Sequence, residues 1–376
     1  MKRKVKKLLL SLPCFEMLCR WLTRRHVRTL MYHRFAKPDQ SDSFCISGET
    51  LRDHLAYIKR YHSCWSPDDH WAAIKGQREW ESCPVVLTVD DGYRDFFEVA
   101  FPVLREAGMP AMVFVTTGFV DGRLLLWWDR LEQLLGYGCG QVLTVELDGA
   151  VLQLDLTTKS CRKQVWHLIA DRCRFLPHTE KEALIEKLAI ALDAVAADLQ
   201  DARFRGLSWS EIKQMSQSNI QFGAHTVSHP ILSRLQEQAV QTEIVQSRQQ
   251  LSAVLQCPVD WFCYPQGGPA DYTPGIKDMA RDAGFKGCYV AHQSIEQEND
   301  FFALPRYCAG SDMVDFRWSL CGAEYLFLKC RTLLGRPARP GHAYWAGSEP
   351  LASTALATAS LPQAGFMKNQ KSCSEN

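Results

Sequence analysis

The sequence lacks a long hydrophobic run, an appreciable net charge and a regular arrangement of cysteines. No stretch reaches the roughly 18 apolar residues typical of a membrane-spanning helix. Lys+Arg 43 against Asp+Glu 42 leaves a formal net charge of +1, so no overall field attracts nucleic acid. The 15 cysteines form no C-x-x-C pair, which argues against a structural zinc site of that type. A composition with 46% hydrophobic and 23% charged residues is typical of a globular protein.

The pattern also predicts no export signal, because the apolar residues 8–12 are soon interrupted by Pro13 and Glu16. We therefore expect reduced thiols and a cytoplasmic location. Residues 5–28 form a basic amphipathic segment. It either lies on an anionic membrane surface, giving peripheral association at the inner face, or is a solvated lead-in to the first strand.

Short apolar runs alternate with helical patterns along the chain, which predicts βαβ units and a parallel sheet. Both faces of such strands are buried, and the run Val85–Val89 is apolar almost throughout. Seven strands favour a barrel over an open sheet. The predicted strands are Val27–Phe35, Pro84–Asp91, Ala111–Val120, Ile220–Val227, Trp261–Pro265, Phe285–Ala291 and Leu304–Cys308.

One segment, residues 121–205, breaks the alternation and is interpreted as an insertion above one end of the barrel. It contains a predicted hairpin over 142–156, with its turn at Asp148-Gly149, and a charged helix near 179–200. Trp127, Trp128 and Asp129-Arg130 form either an aromatic stacking lid over that end of the barrel or part of the core. The predicted organisation is an N-terminal segment (1–26), a barrel (27–322) and a C-terminal extension (323–376) that is disordered from about 337.

Two local signals predict helix starts. Ser208 and Glu211 have the spacing of a capping box. Pro230 is expected to open the helix that follows it, because proline is favoured in the first turn.

Two adjacent carboxylates, Asp90 and Asp91, end the second predicted strand before Gly92. Functional residues of parallel α/β folds collect at the carboxyl ends of strands. Neighbouring carboxylates there repel each other unless a cation or a proton separates them. The competing interpretation is a pair that caps the next helix.

Two histidines, His225 and His229, follow the strand-like run at 220–222. They are either incidental surface residues or, together with a carboxylate, ligands of a borderline metal such as Zn²⁺. Two histidines and one carboxylate would leave a position open for a water, which is typical of catalytic zinc sites. The second carboxylate could then act as a general base in amide hydrolysis.

These residues resemble the motifs of the polysaccharide deacetylase family, which is built on the NodB homology domain (carbohydrate esterase family 4). The segment 88–92 resembles its Thr-Phe-Asp-Asp-Gly motif, and 225–229 resembles its His-Ser/Thr-x-x-His motif. Residues 262–267 look like a variant of its third motif. The resemblance covers roughly 27–120 and 206–320.

The resemblance implies a distorted (β/α)₇ barrel of the α/β class and a hydrolase acting on carbon–nitrogen bonds other than peptide bonds. Asp90 would be the base, and Asp91, His225 and His229 would hold a divalent metal such as Zn²⁺. The backbone N–H of Gln266 would stabilise the oxyanion.

Two departures from the family pattern accompany the resemblance. Cys263 stands where the family has an arginine that braces the base, and Arg306 is the candidate replacement. The family's C-terminal Leu-x-His is missing, but His33 follows the similar run at 30–32, as in circularly permuted members. His33 is then the general acid, against the alternatives of a buried, backbone-bonded histidine or of His292 as the acid.

Three functions remain open. The first is removal of N-acetyl groups from an amino sugar in polysaccharide or glycolipid synthesis, with an oligosaccharide, polysaccharide or lipid-linked sugar as substrate and no nucleic-acid partner. The second is a carbohydrate-binding relative with impaired catalysis. The third is a metal-dependent amidase acting on a non-sugar substrate.

Overall fold

The main sheet consists of short parallel strands. The computed structural model describes residues 3–37, 45–147, 150–195, 199–293 and 300–335. The strands in these ranges are β1 (Arg28–Tyr32), β2 (Arg34–Ala36), β3 (Cys45–Ser47), β4 (Ser63–Trp65), β5 (Pro84–Val89), β6 (Ala111–Val115), β7 (Val142–Leu147), β8 (Ala150–Asp155), β9 (Ile220–Ala224), β10 (Trp261–Cys263), β11 (Gly287–Tyr289) and β12 (Tyr307–Cys308).

The main sheet closes into a barrel through the segment 304–308. The strand order is β11-β10-β9-β6-β5-β1-β12, with every pairing parallel. Leu304 bridges to Tyr289 of β11, while Tyr307 pairs with Leu30 of β1. One segment therefore contacts both ends of the sheet, and the predicted seven-stranded (β/α) barrel is confirmed.

The barrel is irregular on both sides of the adjacent strands β6 and β9, where they pair with β5 and with β10. β4, which was not predicted, pairs with the start of β5, so that β6 pairs only with Thr88 and Val89 at its end. β9 and β10 share a single register pair, Ala224 with Phe262. Both gaps lie beside strands that lead into the candidate site, because Asp90 and Asp91 follow β5 and His225 follows β9.

Helices surround the barrel. They are α1 (Arg3–Leu10), α2 (Phe15–Leu22), α3 (Gly48–Tyr61), α4 (Pro67–Ile74), α5 (Phe101–Ala107), α6 (Thr117–Val120), α7 (Trp127–Tyr137), α8 (Lys159–Cys173), α9 (His178–Ala191), α10 (Trp209–Ser216), α11 (Glu237–Leu255), α12 (Pro274–Asp282), α13 (Met313–Leu320) and α14 (Ala323–Leu333). Because helices cover the outside and side chains fill the inside, both faces of β5 are buried.

A small apolar cluster fills the barrel interior. Phe114 of β6 lies against Tyr289 of β11, with ring centroids 5.4 Å apart, although these strands are not neighbours in the sheet. Met112, Trp261, Cys263 and Leu304 complete this cluster. The interior is thus packed, and polar side chains that enter it are desolvated.

The two helix-start predictions have opposite outcomes. Ser208 and Glu211 form the predicted capping box of α10. The prediction for Pro230 is wrong, because α11 begins only at Glu237. His229 has a positive φ of 56° and residues 232–234 form a short 3₁₀ turn, so the chain cannot enter an α-helix at Pro230.

The segment 121–205 contains α7, α8, α9 and the predicted hairpin. β7 and β8 pair antiparallel in register from Val142 with Asp155 to Leu147 with Ala150, and the predicted turn at 148–149 lies outside the described residues. The tail from about 337 also lies outside them, so the predicted organisation of the chain remains a prediction. In the described ranges, no helix has the length and apolar character needed to span a bilayer.

Candidate metal centre and its surroundings

Asp90 and Asp91 lie in a sharp turn at the carboxyl end of β5. Asp91 and Gly92 both have positive φ, 73° and 87°, and the Cβ position of Gly92 lies only 3.0 Å from a side-chain carbon of Val115. The chain can turn this tightly because position 92 is glycine. The helix-cap interpretation is not supported, because the carboxylates are directed at Arg306 and at two histidines instead.

The Asp90 carboxylate is bound by Arg306 through two hydrogen bonds. Nη1 donates to Oδ1 at 2.7 Å and Nη2 donates to Oδ2 at 2.6 Å. The guanidinium is fully buried and also donates to Thr88 Oγ1 and the Val290 carbonyl. Burial alone would raise the pKa of Asp90, but the charge and hydrogen bonds of Arg306 hold it below its usual value.

Cys263, which stands in place of the family's arginine, lies beside this ion pair. Its Sγ is 3.0 Å from Nη2 of Arg306 and 3.6 Å from Oδ2 of Asp90. Burial raises the pKa of the thiol, so Cys263 is neutral at neutral pH. Arg306, which immediately precedes β12, therefore places a guanidinium beside Asp90 where position 263 has none.

Asp91, His225 and His229 converge on one point. Oδ1 of Asp91 is 3.5 Å from Nε2 of His225 and 3.4 Å from Nε2 of His229, and the two Nε2 atoms are 3.1 Å apart. Ligand atoms about 2.0–2.1 Å from a tetrahedral zinc ion lie about 3.3–3.4 Å from one another. The spacing of these three buried groups therefore fits a divalent metal.

The orientation of the His225 ring supports the same fit. Nδ1 of His225 is 2.7 Å from the Cys263 carbonyl oxygen, to which it donates in the tautomer that leaves Nε2 free. Burial would raise the pKa of Asp91, but contacts with His225 and His229 hold it well below its usual range. An ionised carboxylate faces two imidazole nitrogens, as a metal site requires.

Glu243, on α11, fixes the loop between the two histidines. Its carboxylate accepts hydrogen bonds from the backbone N–H groups of Val227 and Ser228, at 2.7 and 3.0 Å, and from the Ser228 hydroxyl at 2.6 Å. Motif analysis missed this residue, because a glutamate on an amphipathic helix is usually a solvated one. Its only sequence signal is its position on the helix that follows the motif.

Strained backbone is concentrated at this end of the barrel. Four non-glycine residues here have φ between 56° and 73°: Asp91, Thr226, His229 and Gln266. Such conformations persist only where the surroundings hold them. Thr226 Oγ1 accepts a hydrogen bond from the His229 N–H at 3.0 Å, which helps to fix the histidine loop.

Three further predicted residues follow the carboxyl ends of barrel strands: His33 follows β1, Gln266 follows β10 and His292 follows β11. Nε2 of His33 lies 3.9 Å from Oδ2 of Asp90, and burial lowers the pKa of His33 despite the two nearby carboxylates. Gln266 follows β10, three residues after the Cys263 carbonyl that holds His225. His292 instead lies against Tyr272, with Nε2 3.1 Å from its hydroxyl.

Helix α7 of the insertion borders the candidate metal-binding triad of Asp91, His225 and His229. The Trp128 ring meets His229 edge to face, with centroids 4.9 Å apart, and its Nε1 donates to the Tyr93 hydroxyl at 2.8 Å. Tyr93 in turn donates to Asp129 at 2.6 Å. Trp127, Trp128 and Asp129 are all buried, so this part of the proposed lid packs as core around the site.

Two carboxylates and two histidines lie together at the carboxyl ends of the barrel strands. The protein is therefore a parallel barrel with a candidate catalytic metal centre. The polysaccharide deacetylase family model matches residues 78–142 and 179–288. YxkH of Bacillus subtilis (strain 168), which carries a polysaccharide deacetylase name, is 23% identical over 111 residues. That match spans 29% of this chain and 38% of YxkH, well under two thirds of that relative.

Solved structures show the same fold. The chain is similar to the deacetylase PplD of Streptococcus pyogenes, solved in complex with acetate, with a TM-score of 0.51 and 17% identity over 78% of this chain and 97% of that one. It is also similar to IcaB of Ammonifex degensii, with a TM-score of 0.50 and 18% identity over 79% and 97% of the two chains. A de-N-acetylase from Aggregatibacter actinomycetemcomitans has a TM-score of 0.50 and 14% identity, over 77% and 96%.

The resemblance that the motifs predicted is confirmed, because the polysaccharide deacetylase model matches 175 of the 376 residues and the solved relatives share the barrel fold. The gap in the family match, 143–178, falls in the insertion. The match starts at residue 78, so β1 and His33 precede it in sequence, although β1 pairs with β5 in the barrel. This arrangement agrees with a circularly permuted member.

Proposed function

We propose that this chain hydrolyses the N-acetyl group of an amino sugar and releases acetate. The observation that carries the proposal is the pairing of a three-ligand cluster, Asp91, His225 and His229, with a separate buried carboxylate, Asp90, on the adjacent residue. A metal site next to an unligated base is the combination that amide hydrolysis needs. The match to the polysaccharide deacetylase family directs the chemistry to carbohydrate.

Asp91, His225 and His229 would hold a divalent metal, for which zinc is the best match to the ligand types and spacing. When bound, such an ion acidifies water and polarises the acetyl carbonyl. Trp128 covers one side of His229 and limits the access of bulk water to the ligands from that side.

Asp90 acts as the general base. Its ionised form is maintained by Arg306, which keeps the carboxylate available to accept the proton of the attacking water. The N–H of Gln266 donates to the oxygen that gains negative charge as the carbonyl carbon becomes tetrahedral. Arg306 also prevents Asp90 from turning toward the triad.

His33 protonates the departing amine. Its Nε2 faces the same carboxylate oxygen of Asp90 that Arg306 Nη2 contacts. Because burial lowers the pKa of His33, its imidazolium form is a strong acid once it has formed, and the nearby carboxylates favour that form. The amide C–N bond then breaks to give the free amine and acetate.

The free state of the cysteines supports a cytoplasmic role on intracellular amino sugars, as oligosaccharide, polysaccharide or lipid-linked sugar in polysaccharide or glycolipid synthesis. All 14 cysteines in the described ranges are free thiols, and thiols in this number persist in reducing compartments.

The test compares wild type with two isosteric variants, Asp90→Asn and Asp91→Asn, by acetate release from N-acetyl oligosaccharides and lipid-linked sugars with zinc present. Both variants should lose turnover, but only Asp91→Asn should also lose bound metal. If wild type releases no acetate from any sugar yet hydrolyses non-sugar amides, the chain is an amidase of another kind. Sugar binding without turnover in wild type would identify a binding protein.

A further inference from the structure

The two N-terminal helices present apolar side chains to solvent in regular stripes. On α2 these are Met17, Leu18, Trp21 and Leu22, whose spacing places them on one face of the helix. On α1 they are Val5 and Leu8, three residues apart on one face, and Leu12 follows in the turn after the helix. Trp21 is 59% exposed and Leu8 is 64% exposed, values that are unusual for such large apolar side chains.

The opposite faces of these helices are fixed to the barrel, so the stripes have a defined orientation. Cys19 is buried in a cluster with Trp318 and Cys321, and Phe15 stacks on Trp318. Glu16 accepts hydrogen bonds from Tyr57 and Arg317 on the same side. The exposed stripes are therefore a feature of the folded protein.

Basic residues flank the stripes. Arg3 and Lys6 pair with Asp312 and Asp315 of α13. Lys4, Lys7 and Arg25 form no ion pair among the described residues, and the Arg24 guanidinium lies 5.5 Å from the Trp21 ring centroid. Only three acidic residues precede position 49 in the sequence: Glu16, Asp39 and Asp42. Of these, Glu16 lies on α2, where it forms ion pairs with Arg20 and Arg317.

We infer that α1 and α2 form a docking surface for an anionic lipid bilayer. Apolar stripes set among unpaired bases match the acyl–headgroup boundary of such a bilayer, and tryptophan next to arginine is favoured there. Neither helix crosses the membrane; both lie in its surface. The inference concerns where the protein acts and does not depend on its catalytic function.

The docking surface and the metal centre share no residue. α2 leads into the amino end of β1, whereas the metal-binding triad and Asp90 lie at the carboxyl ends of the strands. Substitutions on the exposed stripes should therefore leave metal binding and folding intact. This separation makes membrane binding testable by itself.

The experiment is co-sedimentation of the full chain with vesicles of phosphatidylcholine, alone or mixed with phosphatidylglycerol. Wild type should bind the mixed vesicles and release them as salt is raised. Leu18→Glu/Trp21→Glu should lower the partition coefficient by about tenfold or more, because it removes apolar area and adds like charge. Lys4→Gln/Lys7→Gln should lower it by about fivefold for each charge removed.

The matched control is Val151→Glu/Ile190→Glu, which adds the same charges at apolar positions of similar exposure, 70% and 72%, outside the surface. Its binding should equal that of wild type, and zinc content and melting temperature should be unchanged in all variants. The inference is overturned if wild type ignores mixed vesicles or if Leu18→Glu/Trp21→Glu binds them normally. It is also overturned if that variant converts a wild-type dimer into a monomer, because the stripes would then bind a second copy.

Discussion

Arg306 and Asp90 form a buried bidentate ion pair across strands that are not neighbours in the barrel. Arg306 immediately precedes β12, and β1 lies between β12 and the strand β5 that ends at Asp90. The guanidinium reaches the carboxylate through the barrel interior, where Cys263 leaves the space that a longer side chain at that position would fill. One side chain thus stabilises the barrel and keeps Asp90 ionised.

Replacing Arg306 with Met should destabilise the protein by about 3–5 kcal/mol, because it leaves the Asp90 charge buried without its partner. Urea unfolding in the presence of a chelator measures this loss. Acetate release should also be lost, since burial raises the pKa of an unpaired Asp90.

The double variant Asp90→Asn/Arg306→Met separates these effects. It removes both charges, so much of the lost stability should return while acetate release stays absent. If the double variant is as unstable as Arg306→Met alone, the unpaired charge is not the cause.

His33→Ala should reduce the rate of acetate release by about 10²-fold or more, because the amine would leave without a proton donor. Bound zinc should remain near one per chain, since His33 is not among the converging ligands. His33→Gln is the matched variant, because it keeps a polar group of similar size but cannot carry the proton. Full turnover in His33→Gln would assign a packing role to His33.

Much of the barrel could be predicted because buried parallel strands leave a strong local pattern. The run Val85–Val89 is apolar on both faces, and each predicted strand coincides with a segment of the closed ring. The ligand motifs were equally visible because they are short and sit at strand ends. Strand β4 was not predicted, because its three residues, Ser63–Trp65, are too few to show the alternation or apolar run of a strand.

The rest of the site depends on tertiary contacts that no local pattern encodes. The prediction for Pro230 used the general preference for proline in the first turn of a helix. The positive φ of His229 prevents a helix from starting there, and α11 begins only at Glu237. Glu243 has the same local signature as Glu237, the exposed glutamate of its helix, and only the folded chain brings the Glu243 carboxylate under the histidine loop. Tyr93 and Asp129 are joined in the same way, over 36 positions of sequence.

Glu243→Gln should weaken zinc binding by about 10–100-fold, because the carboxylate that fixes the loop between His225 and His229 becomes a neutral amide. Competition with a chromogenic chelator measures the affinity. The melting temperature of the metal-free protein should change little.

Glu237→Gln is the matched control, because Glu237 is an exposed glutamate on the same helix. It should bind zinc as wild type does. If Glu243→Gln also retains wild-type affinity, the loop is held without its carboxylate.

Stability should fall as the pH is lowered, because three histidines outside the site are held neutral. Burial lowers the pKa of His54 to about 4, of His62 to about 3 and of His70 to about 4, from 6.5 in the unfolded chain. The stability from each is complete above the unfolded value and is lost as the pH falls toward the folded value. Burial raises the pKa of Asp95 to about 6, which acts in the opposite direction.

Between about pH 7 and about pH 5, each of these histidines should cost about 2 kcal/mol and Asp95 should return about 1 kcal/mol, so these four groups together should lower the free energy of unfolding by about 5 kcal/mol. Urea unfolding of the metal-free protein at a series of pH values measures this, since a chelator removes the separate effect of metal release. His70→Gln cannot gain a proton at this position, so its loss over the same range should be smaller by about 2 kcal/mol. A free energy of unfolding that stays constant over this range would mean that these histidines are accessible to protons in the folded state.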